Sequence, residues 1–134
     1  MNFTHACQTY INNNLYDEHD KILKDIGRRL PTGPANIHWE EILEKFEIPA
    51  VTNSKLKEKI FTIAKLVGIK ETDPIIIINI EDGFPALQTT LKQWSAFSEE
   101  LDYPNTVFFD VNTNKIIHWD FYKDLYATSM PIKK

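Results

Sequence analysis

The sequence predicts an α+β protein: a helical N-terminal half followed by a β-α-β-β-α unit with a small mixed sheet. Three observations predict it. Apolar residues recur at helical spacing as far as Val67. The period then changes at Ile75-Ile76-Ile77-Ile78-Asn79-Ile80, which is β-branched and apolar on both faces. Two further β-rich segments, 106–111 and 115–119, flank an asparagine-rich turn. The length of 134 residues suits one domain, 1–134, and no repeat, low-complexity segment or linker divides it.

Phe3, Cys7, Tyr10 and Ile11 share one helical face, and Asn12-Asn13-Asn14 ends that helix because asparagine is a poor interior residue. Asp17 is expected to cap a second helix with Ile22, Leu23, Ile26 and Leu30 inward. Leu30-Pro31-Thr32-Gly33-Pro34 is a loop, since two prolines and a glycine cannot continue a helix. A third helix is expected from Asn36, with Trp39, Ile42, Leu43 and Phe46 on one face and Pro49 closing the segment. A fourth starts at Asn53 or Ser54, buries Leu56, Ile60, Ile63, Ala64 and Val67, and stops at Gly68.

In the second half, Ile75 to Ile80 reads as a central strand covered on both sides, because only a covered strand hides such a run from water. Glu81-Asp82-Gly83 turns the chain. Phe84, Leu87, Leu91, Trp94, Phe97 and Leu101 then mark a long amphipathic helix, expected to pack on one face of that strand. The stretch from Ile80 to Thr106 is long enough for a crossover, which would allow the first two strands to lie parallel. Thr106 to Val111 and Lys115 to Trp119 form a hairpin around Asn112-Thr113-Asn114, where asparagine tolerates positive φ. Apolar on both sides, the hairpin is expected to lie between helices. Phe121, Leu125 and Tyr126 suggest a short last helix.

Charge narrows the function classes. The formal net charge is -4, which opposes a dedicated nucleic-acid binder. The excess of acid lies wholly after Val67, where ten acidic residues face six basic ones. The lone Cys7 makes no intrachain disulfide, so a reducing cytoplasm is the expected compartment. No signal peptide is read at Met1-Asn2-Phe3-Thr4-His5, and the longest aliphatic run is too short for a membrane span.

Each chemical constellation has a plainer explanation. Asp17-Glu18-His19-Asp20 offers metal ligands, but consecutive helical residues point apart, and acids at a helix start are ordinary dipole chemistry. Glu81, Asp82, Asp110, His118 and Asp120 lie at strand ends, where carboxylates could hold a divalent ion for hydrolysis. Turn formation and solvation are the favoured account of them, and no nuclease spacing is present. Cys7 lies on an apolar face, and no nucleophile elbow, Cys-x-x-Cys, His-Glu-x-x-His or phosphate loop occurs. Lys21, Lys24, Arg28 and Arg29 on one helix and Lys55, Lys57, Lys59 and Lys65 on another could suggest a helix-turn-helix regulator, but acids interleave with both groups.

No catalytic residue, cofactor or metal is therefore expected. The leading expectation is a non-enzymatic inhibitor that binds a basic protein partner, with neither nucleic acid nor membrane involved. Acids would steer the encounter and aromatic anchors would supply affinity. The expected surface is centred on the hairpin: Glu99, Glu100, Asp102, Asp110, Asp120 and Asp124, with Phe108 and Trp119 as anchors if their face is open. The alternatives are a metal-dependent hydrolase using Glu81, Asp82, Asp110 and His118, and the helix-turn-helix regulator. The hairpin segments Phe108-Phe109-Asp110 and Ile116-Ile117-His118-Trp119, with the small size, acidity and lack of active-site motifs, resemble the immunity proteins of bacterial toxin systems, including contact-dependent growth inhibition. That resemblance implies a cytoplasmic protein that neutralises a cognate toxin, here a basic one such as a nuclease.

Overall fold

A computed structural model describes residues 3–33, 36–80 and 84–131. Helices α1 (His5–Asn13) and α2 (His19–Arg29) lead to a 3₁₀ turn, Trp39–Glu41, and strand β1 (Phe46–Ile48). Helix α3 (Leu56–Val67) follows, then β2 (Ile75–Asn79), β3 (Leu87–Thr89), the short α4 (Leu91–Ser95), β4 (Thr106–Asp110), β5 (Lys115–Trp119) and β6 (Leu125–Ser129). The fold is α+β, as expected. The six strands form one sheet in the order β1-β6-β5-β4-β2-β3, antiparallel throughout.

The sheet is covered on both faces. Ile75, Ile77, Phe108, Ile117, Trp119, Leu125 and Ala127 pack with residues of α1, α3 and α4. Ile76, Ile78, Val107, Phe109 and Ile116 pack with α2, Trp39 and Ile42 on the other side. Every residue of β2 is buried, and its neighbours are β4 and β3. Each of its isoleucines contributes about 1.5–3 kcal/mol by leaving water. The expectation of a buried, non-edge strand holds.

The first helix forms with Thr4 as its N-cap, and Gly68 terminates α3 at φ 94°, the left-handed residue expected there. The hairpin also forms as read. Asn114 takes positive φ, and Asp110 Oδ1 accepts the N–H groups of Asn112 and Thr113 to close the turn.

Five expectations fail. No parallel pair occurs among the described residues, because β3 follows β2 as its antiparallel partner and removes the crossover. The long helix from Phe84 to Leu101 is instead β3, the five-residue α4 and turns. Pro85 and the β-branched Thr89-Thr90 favour an extended start, and the Thr90 hydroxyl caps α4 by accepting the Gln93 N–H. The last helix is β6, whose backbone completes a ladder with β5 and β1. The third helix is only the 3₁₀ turn followed by β1: Trp39 and Ile42 go inward, while Leu43 faces solvent. Asp17 does not cap α2 either. Glu18 occupies that position without a side-chain capping bond.

Candidate functional site

Register decides where the acids lie. Thr106 pairs with Asn79 and Trp119, while Asp110 pairs with Lys115 at the far end of the same strands. Asp110 is therefore separated by the length of β4 from Asp102, Asp120 and Asp124. Its carboxylate is buried, with Oδ1 committed to the hairpin turn. Phe108 and Trp119 are core: Trp119 is 0% exposed, and its indole N–H donates to the Val51 carbonyl at 3.1 Å. The anchors expected on the hairpin are thus closed off, because helices cover both faces. The other acids divide. Glu100 accepts from the Thr4 N–H and hydroxyl at the start of α1, and Asp102 accepts from Asn53. Glu99 is exposed and lines a groove with Lys57 and Asp102.

Asp120 and Asp124 do come together, in the turn joining β5 to β6. Asp120 Oδ1 accepts the N–H groups of Tyr122 and Asp124, and Asp124 Oδ1 accepts the Ala50 N–H at 2.9 Å. Lys123 takes φ 64° to close the turn. The turn presents two aromatic rings to solvent. Phe121 is 57% and Tyr122 77% exposed, and their rings meet edge to face at 5.4 Å.

Next to this turn lie Glu47 of β1 and Glu40 of the 3₁₀ turn, which sequence reasoning missed. Glu47 pairs with Tyr126 across the sheet. The Tyr126 hydroxyl is pushed up to about 12, first by burial and then by Glu47, Asp120, Asp124 and Glu40. The Asp120 carboxyl is likewise raised, mainly by burial, with Asp124 and Glu47 adding repulsion against the backbone donors that favour its charge. The result is a concentration of negative charge beside an exposed aromatic pair. Only the alternation of Phe46-Glu47-Ile48 hinted that Glu47 belongs to a strand.

Behind this face a buried network fixes the sheet to the 3₁₀ turn. The Trp39 indole N–H donates to His118 Nδ1 at 2.8 Å, so His118 carries its proton on Nε2 and donates to Asn105 Oδ1 at 2.6 Å. Trp39 also stacks on Tyr126 at 5.0 Å. Burial lowers His118 to about 3. With both nitrogens engaged, His118 is not poised as a base. Glu81 and Asp82 lie outside the described residues.

Among the described residues, one of the remaining clusters brings its ligand atoms together. His19 contacts Asp20 and Lys21 contacts Glu18, with no convergence on one point. His38, Glu40 and Glu41 bring donor atoms within 4.8 Å of one another, but on an exposed turn where His38 already meets Glu41 at 2.8 Å. Cys7 is buried, and burial followed by Glu100 pushes its thiol up, away from nucleophilic use. Helices α2 and α3 pack on opposite faces of the sheet, so they do not form a helix-turn-helix. No helix among the described residues is long and apolar enough to cross a membrane. Compared with models of protein families and with curated proteins, the chain matches none.

Proposed function

We propose that this protein is a non-enzymatic inhibitor that binds and neutralises a basic protein, acting as a cytoplasmic immunity protein toward a cognate toxin such as a nuclease. One observation carries the reading: Glu40, Glu47, Asp120 and Asp124 surround Tyr126 beside the exposed Phe121–Tyr122 pair. The Asp120 carboxyl, raised first by burial and then by Asp124 and Glu47, is held against repulsion that weakens the free fold, and a cationic partner relieves it. Exposed aromatic rings beside them supply the apolar contact that charge alone does not. The docking face is therefore the β5–β6 turn and its neighbours rather than the centre of the hairpin.

The test uses the protein encoded next to this one in its genome, purified and co-expressed with the full chain. The expected result is a stable complex with a basic domain and restored growth of cells expressing that domain. Phe121→Ser/Tyr122→Ser is expected to keep its thermal midpoint and weaken the complex by about tenfold or more, as loss of interface anchors commonly does. Asp120→Asn keeps the Oδ1 acceptor for the turn. It is expected to hold or raise the midpoint while slowing association. Variants that remain folded and bind as tightly as wild type would discard this face.

A further inference from the structure

The two edges of the sheet are finished differently. Alongside β3 runs the segment after α1: the Tyr16 N–H donates to the Ala86 carbonyl at 2.9 Å, and the Gln88 N–H donates to the Asn14 carbonyl at 2.7 Å. Leu15 also bridges to Leu87, so that edge is closed. At the opposite edge nothing among the described residues pairs beyond β1. An open edge is a template for another strand. Beside it Leu43 is 96% and Phe46 40% exposed, and both line a shallow groove with Val67 and Thr128.

The geometry points to a second copy of this chain as the occupant, the start of its β1 and the preceding Lys45 pairing antiparallel with the same residues here about a two-fold axis at Phe46, so that one sheet runs through both copies. The warrant is the charge pattern. A two-fold interface must be self-complementary, and antiparallel pairing sets residues equally distant from the axis against each other. Centred on Phe46, Lys45 faces Glu47 of the partner subunit, Glu47 faces Lys45 of the partner subunit, and the two Phe46 rings adjoin. A shift of the axis by one residue sets Lys45 against its own copy, or Glu47 against its own copy. Of these three registers the charge pattern selects the one centred on Phe46. Neither Lys45 nor Glu47 has an ion-pair partner within the chain among the described residues; the Lys45 ammonium donates to the Ile42 carbonyl at 2.9 Å and would exchange or share that bond for the partner carboxylate. Pro49 lacks an N–H and limits the paired stretch, so the association is expected to be weak, in the micromolar range.

Sedimentation equilibrium of the full chain, across a wide concentration range, tests this. A reversible monomer–dimer equilibrium is expected. Lys45→Glu alone and Glu47→Lys alone each turn two attractive contacts into two repulsive ones and should weaken the dimer by about tenfold or more. The double swap keeps the self-complementary pattern and should restore it. A chain that stays monomeric throughout, a dimer indifferent to the single swaps, or a double swap that fails to recover would overturn the pairing. Should a swap fail to fold, Phe46→Cys supplies a separate readout. The two introduced thiols would face each other and form an intersubunit disulfide on mild oxidation, with Cys7 buried and apart. Absence of that cross-link would equally overturn the proposal.

Discussion

At the scale of single residues, Trp119 and His118 are neighbours on β5 with opposite orientations, and each supports a prediction. The Trp119 ring fills the face against α3, with its N–H satisfied by Val51. Trp119→Ala is expected to cost about 3–5 kcal/mol of stability, through the cavity and the lost hydrogen bond. Denaturant unfolding checks it, and a loss under about 1 kcal/mol would contradict the burial. His118 faces the other way and is held neutral. Its proton affinity is ordinary, near 6.5, when unfolded and falls to about 3 when folded. The unfolded chain therefore binds the extra proton first. The stability contributed by neutral His118 is complete above pH 6.5 and is lost as pH falls toward 3. His118→Gln should flatten that part of the stability profile relative to wild type. Parallel profiles would show that His118 titrates normally.

At the scale of elements, termini and turns hold more of the specificity than helix propensity does. Gly68 ends α3 at φ 94°, and its carbonyl accepts from the Lys115 ammonium at 3.1 Å, tying the helix end to the start of β5. A Cβ at this position would sit 2.7 Å from Lys115 Nζ, a mobile atom that can move aside. The backbone strain cannot be relieved that way, so Gly68→Ala is expected to cost about 1–2 kcal/mol. Thermal unfolding measures it, and a neutral result would mean that the end of α3 rearranges freely. The second half shows why elements were misread. Phe84, Leu87, Leu91, Trp94, Phe97 and Leu101 follow helical spacing, yet Leu87 and Thr89 lie two apart and fit a strand equally well. Strand β6 is similar: Leu125 and Ala127 face α3, while Thr128 on the other face donates to the Glu44 carbonyl. Its alternation was hidden because both faces are covered, so Leu125, Tyr126 and Ala127 follow one another with no polar residue between them.

At the scale of the whole molecule, the sheet has helices packed on both faces, so the parts of it left uncovered are its ends and the β1 edge. The acidic concentration sits at the end where β5 turns into β6, a position fixed by the antiparallel order. Binding of a basic partner there should be steered by charge. Raising salt toward 0.15 M, where the Debye length is about 8 Å, should slow association while leaving dissociation nearly unchanged. Stopped-flow measurement of both rates checks this. A salt-independent association rate would place the partner on another surface.

By itself the sequence determined what neighbouring residues enforce. It set the α3 segment and its stop at Gly68, the buried Ile75–Asn79 strand, and the Thr106–Trp119 hairpin with its positive-φ Asn114. These follow from φ/ψ preference, β-branching and turn chemistry, which act over a few residues. The sequence also placed the excess of acid in the second half. Only the tertiary structure decided that Phe108, Asp110 and Trp119 are core, that Glu40 and Glu47 join Asp120 and Asp124, and that β1 is left at an open edge. Those outcomes depend on which strands pair and in what register, and residues nearly eighty positions apart meet only through that pairing, as Glu47 and Tyr126 do. Local pattern carries no information about such contacts, because the same apolar run is equally stable against any face that excludes water.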